Sequence, residues 1–218
     1  MQPYFKAVSN SIIQSMANLK NMNSGEYKTI NNIKFGAIVY RDFDEGLTRL
    51  AEQIDLTADY QSVAASLRGI DAVDYKDKDQ PEAVFNGINK AARNLCKENE
   101  TNVMILIGDA GNHSRNDNSQ VSMSKLISNL SAYNIDLNFL VFQVHHNSDH
   151  NTYNEFVPQL KEIILKYSSE LYSDYTKVDI NKLIKYQPTF VPGSNKFTLD
   201  NSAITETIFY PSKGGNIT

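Results

Sequence analysis

The chain has 218 residues, a formal net charge of −4 and a single cysteine. That length is enough for one compact α/β domain with a full core, and the scattered lysines and arginines form no basic footprint for nucleic acid or for an anionic membrane surface. One cysteine excludes an internal disulfide framework and leaves the compartment open, and no apolar run approaches the ~20 residues of a membrane helix.

In chain order, residues Pro3 to Lys20 show a helical period, with Phe5, Val8, Ile12, Met16 and Leu19 on one face. No capping residue precedes this helix, and Met1-Gln2-Pro3-Tyr4 does not read as a signal peptide. After a polar loop, Ile33 to Tyr40 (IKFGAIVY) reads as a strand with apolar residues on both faces. It ends in Tyr40-Arg41-Asp42-Phe43-Asp44. Arg41 and Asp42 stand there either as support for a site at the sheet edge or as a local ion pair in a solvated turn. Leu50 to Thr57 alternates apolar and polar, the pattern of an edge strand. Asp55-Leu56-Thr57-Ala58-Asp59 has the look of an Asp-x-Thr-x-Asp metal motif, but Thr57 or Asp59 also serves as the cap of a helix over Tyr60 to Arg68, and that reading is preferred.

Gly69 to Gln80 is an acidic loop. Asp79 followed by Pro81 is a helix start signal, and the spacing predicts a helix from Pro81 to about Cys96, buried through Val84, Phe85, Ile88, Ala91, Ala92 and Leu95. Cys96 reads as a small apolar filler, since no base is placed with it.

Asn102 to His113 (NVMILIGDAGNH) organises the rest. Val103 to Ile107 is an uninterrupted apolar run, expected to be a parallel strand buried on both faces. Gly108 closes it and Asp109 sits at its carboxyl end, the edge at which open α/β sheets bind ligands. Asp109 is therefore a candidate metal or ligand group, with a turn-capping role as the alternative, and His113 lies in the same polar loop. A helix follows over Met123 to Tyr133, then a strand over Ile135 to Val144. His145, His146 and His150 crowd the next loop, but their spacing fits no zinc pattern. Phe156 to Tyr172 is an amphipathic helix and Ile180 to Tyr186 a shorter one. From residue 188 the texture changes. Lys196 to Leu199 and Ala203 to Tyr210 read as strands in a C-terminal extension or linker, 188–218, outside an α/β body of 1–187.

Strands alternating with helices predict an α/β, doubly wound, mostly parallel sheet. Three stretches resemble the von Willebrand factor A (vWA) domain family, whose fold is Rossmann-like, nearest its bacterial, alpha-kinase-associated branch. Phe35 to Asp42 (FGAIVYRD) is similar to that branch's second strand. Asp79-Gln80-Pro81-Glu82-Ala83-Val84 is similar to its Gly-Gly-Asp-x-Pro-Glu-Ala segment. Ile107-Gly108-Asp109-Ala110 with His113 is similar to its Gly-Asp-Ala-x-x-His loop. Their order and spacing agree over about Met1 to Tyr172.

The resemblance implies a metal-ion-dependent adhesion site holding Mg²⁺ or Mn²⁺, with Asp109 and Asp79 as ligands and Arg41, Asp42 and His113 supporting it or facing the bound partner. Such a cation wants oxygen ligands and leaves a position open for an acidic side chain of a protein partner. The family's first strand and its Asp-x-Ser/Thr-x-Ser motif are not found in this sequence. They are expected directly before Met1, which makes the chain a fragment of a longer protein. Asp77-Lys78 replaces the branch's Gly-Gly pair. Three functions follow. The first is a metal-assisted protein-binding module of a larger bacterial protein, not an enzyme. The second, motivated by the altered loop, is a metal-free structural scaffold in an assembly such as a secretion apparatus. The third, ranked lowest, is a hydrolase using Asp42, Asp79 and Asp109 or the histidine cluster. None involves nucleic acid or membrane insertion.

Overall fold

A computed structural model describes residues 5–6, 8–15, 32–43, 49–70, 82–113, 120–144, 152–171 and 204–210. Residues 8–15 are helical (α1), within the span expected from the sequence. Strand β1 (Phe35–Tyr40) pairs antiparallel with β2 (Ala51–Thr57). Helix α2 (Tyr60–Arg68) follows, then α3 (Val84–Asn94), β3 (Thr101–Gly108), α4 (Met123–Ala132), β4 (Asp136–Val144) and α5 (Tyr153–Leu171). Strand β5 (Ile204–Tyr210) closes the order.

The α/β class is as expected from the alternation. The strands form two blocks, β1–β2 and β3–β4–β5. Within the described residues the parallel pair is β3–β4, in register from Thr101 opposite Asp136 to Gly108 opposite Gln143. Strand β5, read from the sequence as part of a C-terminal extension, runs antiparallel beside β4. A period-2 segment joins any open edge that offers it hydrogen bonds, whatever its distance along the chain.

The main core lies on one face of β3–β4. Met104 and Leu106 of β3 and Leu137, Phe139 and Val141 of β4 meet α3, α4 and α5 there. The helices supply apolar stripes at helical spacing, such as Leu126, Ile127 and Leu130 of α4 and Phe156, Leu160, Ile163 and Ile164 of α5. A smaller cluster joins Val63 and Leu67 of α2 to Val39 of β1, with Phe5, Val8 and Ile12 against it.

The expectation that β3 is buried on both faces fails. Val103 is 58% and Ile105 49% exposed. The alternation along the strand puts these two side chains on the face away from the three helices. An apolar run is equally compatible with burial on one face, and the described helices cover one face only. Strand β1 is likewise half-buried rather than buried, Val39 apart.

Helix α2 begins as expected: the Asp59 carboxylate accepts hydrogen bonds from the Gln61 and Ser62 amides. Helix α3 does not. It starts at Val84, three residues after Pro81, and its N-cap Ala83 offers no side-chain acceptor. Glu82 instead forms a parallel bridge with Asn112, which holds the chain extended up to the helix. The predicted helix over 180–186, the 196–199 strand and the His145–His150 loop lie outside the described residues.

Candidate functional site at the carboxyl edge

Strands β1 and β3 both end at one edge of the molecule. Tyr40, the last residue of β1, donates its hydroxyl to the carbonyl of Ile107 near the end of β3, at 3.0 Å. Beyond β1, the Arg41 carbonyl accepts from the Ala83 amide at 3.0 Å. Beyond β3, the Gly111 carbonyl accepts from the Glu82 amide and the Glu82 carbonyl accepts from the His113 amide, both at 2.9 Å. Two strand ends that are not neighbours in a ladder are thereby joined through the two residues ahead of α3.

The loop from Asp109 to His113 is fastened on every side. The Gly111 amide donates to the Thr152 carbonyl at 2.8 Å, just ahead of α5. The Asn112 amide donates to the Gln159 side-chain oxygen at 2.7 Å. The Asn112 side-chain oxygen accepts from the Phe85 amide at 2.8 Å, while its NH₂ donates to the His113 carbonyl at 2.8 Å. The orphan amides in the first turn of α3 thus find a tertiary acceptor in place of a local cap. Asn112 is 5% exposed. Leaving its partners unsatisfied at that burial costs about 1–3 kcal/mol.

Asp109 is 9% exposed on this braced loop. Its charge and that of Glu82 both act on Tyr40. Burial first, then Glu82, then Asp109, raise the Tyr40 phenol well above its ordinary value. The hydroxyl therefore stays protonated and remains a donor to Ile107. Close packing fixes the ring: a Cβ added to Gly87 would meet Tyr40 Cβ at 2.9 Å. One added to Gly108 would meet the Tyr40 hydroxyl and the Phe156 ring, whose Cε2 would stand 2.7 Å away. Both glycines are small because Tyr40 passes between them.

The residues singled out from the sequence take different places. Asp109 and His113 are brought to the same loop. Arg41 is buried at 6% exposure and pairs its guanidinium with Glu52 of β2 at 3.0 Å, a contact that ties the end of β1 to β2. Asp42 follows it and accepts from the Phe43 amide. The ring of Phe43 stands edge-on to His113, centroids 5.8 Å apart. Asp79 lies outside the described residues. Among the described residues, no group of three or more His, Cys, Asp or Glu side chains is arranged to hold a metal ion. Asp109 alone does not make a cation site, so no chemistry is derived through one.

Tyr40, Glu82, Asn112 and Gln159 build the edge, and sequence reasoning did not assign them this role. The Gly-Asn-His turn after Asp109 carried a signal, because asparagine side chains bond to backbone near turns. Its partner at the start of α3, 27 positions away, carried none.

A family model described as the TssR protein VWA domain matches residues 1–218. No curated protein and no solved structure matches the chain.

Proposed function

Because the chain belongs to the TssR VWA domain family, a vWA family associated with type VI secretion, we propose that it is a protein-binding module of that apparatus which takes its partner at the carboxyl edge. The observation that carries this reading is the buried Asp109 on a loop braced from Glu82, α3 and α5. A strand-end loop held so firmly is pre-organised, and pre-organisation lowers the cost of binding. Its supporting residues serve position rather than turnover.

The proposal extends to the sheet. Among the described residues, β1 pairs only with β2 and β3 only with β4, and a tyrosine hydroxyl joins their ends. The Tyr40–Ile107 bond keeps these two strand ends one tyrosine side chain apart, and one further strand is proposed to lie between them. A strand inserted there would make the two blocks one doubly wound sheet, and its end would stand beside Asp109. The divalent cation is proposed on the same terms, with Asp79 and oxygen ligands from the inserted strand completing the set around Asp109.

The test uses two versions of the protein, this chain and one extended at its amino end through the expected strand. Thermal melts are recorded for each in EDTA and in millimolar Mg²⁺. The proposal expects the extended version to melt at a higher midpoint and Mg²⁺ to raise it further, an increment removed by Asp109→Ala. An extended version indifferent to metal would remove the cation and favour the metal-free scaffold. An extended version no more stable than this chain would remove the inserted strand as well.

A further inference from the structure

We propose that the outer edge of β2 pairs antiparallel with β2 of a second copy of this chain, about a two-fold axis at Gln53. The register shows which backbone groups are available. Tyr40 stands opposite Ala51, and the Arg41 amide donates to the Leu50 carbonyl. Residues 50, 52 and 54 therefore point their backbone groups at β1, while Ala51 and Gln53 point theirs away from it. The Ala51 carbonyl confirms the direction, because it accepts from the Lys90 ammonium of α3 rather than from β1. A bulge opposite Gly36 ends the regular edge near Asp55.

This edge is recessed. An open cavity of about 840 Å³ runs along it from Ala51 to Asp59, walled by Ser62 and Ser66 of α2 on one side and reaching Lys90 on the other. The two serines stand one helical turn apart and leave the wall low enough for a backbone to approach.

Charge decides what fits. On the α3 side of the edge, Lys90 stands at the Ala51 end. Gln53 sits in the middle, its carbonyl oxygen accepting from Asn94 at 2.7 Å and its NH₂ donating to the Asp55 carboxylate at 2.6 Å. On this side, the edge carries a cation at one end and a carboxylate at the other. An antiparallel copy centred on Gln53 places Ala51 opposite Asp55, so each Lys90 meets the Asp55 of the second copy. A two-fold axis normal to the sheet keeps both on the α3 side. The surface is thus complementary to itself, as a two-fold interface must be. On pairing, the Lys90 ammonium turns from the Ala51 carbonyl to the carboxylate of the opposite Asp55. A parallel strand, or a neighbour uniformly basic or acidic, makes only half of these contacts.

Analytical ultracentrifugation of the full chain across a hundredfold concentration range tests the pairing. A monomer–dimer equilibrium is expected. Lys90→Glu and Asp55→Lys each raise the dissociation constant about tenfold or more, and the double variant returns it to near the starting value. Gln53→Pro removes the outward amide at the axis without touching the β1 ladder and abolishes the dimer. Thermal melts of each variant establish that it folds. A chain that is monomeric at every concentration overturns the proposal. So does a dimer that ignores Gln53→Pro, or single charge reversals that the double variant fails to rescue.

Discussion

The two ends of β3 are built on opposite terms. At the carboxyl end, backbone and side-chain hydrogen bonds from β1, α3 and the start of α5 converge on Ile107, Gly111, Asn112 and His113, and two glycines admit the ring of Tyr40. Earlier along the same strand, Val103 and Ile105 stand open to solvent. One sequence run, uniformly apolar, holds a locked end and a vacant flank. Hydrophobicity alone does not separate them. Hydrogen-bond partners do, because a buried polar group without a partner costs more than an exposed isoleucine.

The largest expected effect is at Gly108. Gly108→Ala drives a methyl into Phe156, a core residue 1% exposed, and into the Tyr40 hydroxyl. Urea unfolding is expected to show a loss of about 3 kcal/mol. Asn112→Ala comes next, at about 2 kcal/mol, since it strips the Phe85 amide of its acceptor. A loss under about 0.5 kcal/mol would mean that the loop is not held as described.

Tyr40→Phe sharpens the contrast through pH. The folded phenol's pKa is raised, so its contribution to stability is complete below the unfolded value near 10 and is lost as pH climbs above it. Above about pH 10 the parent should lose up to 1.4 kcal/mol per pH unit more than Tyr40→Phe. Parallel curves for the two proteins would refute the assignment.

The smallest effect belongs to the flank. Val103→Thr and Ile105→Thr should change stability by no more than about 0.5 kcal/mol in this chain. In the version carrying the proposed inserted strand, the same substitutions should cost more, which turns a silent pair into a reporter of strand insertion. Cys96 offers a control away from both ends. Burial lifts its thiol to about 11, against a small lowering by Lys97. Alkylation at neutral pH should be slow in the folded protein and should accelerate on unfolding.

Much of this was legible in the residues. Val63 and Leu67 faced inward as their spacing required, and Asp59 capped α2 because aspartate accepts from first-turn amides. Leu50 to Thr57 alternated and became an edge strand. Asp109 stood at a strand's carboxyl end, as the closing Gly-Asp required. These are local consequences of side-chain periodicity and of what each side chain can accept or donate.

Tertiary structure decided the rest. That Asn112 meets the first turn of α3 depends on a bridge between Glu82 and Asn112, 30 positions apart. That Arg41 is paired with β2 depends on where Glu52 lies across the ladder. That β3 is covered on one face, and that β5 lies beside β4, depends on which surfaces other elements reach. Periodicity specifies which side of an element is apolar. Only the assembled fold specifies whether anything arrives to cover it, and the free energy that selects among such arrangements comes from pairings the chain makes across dozens of residues.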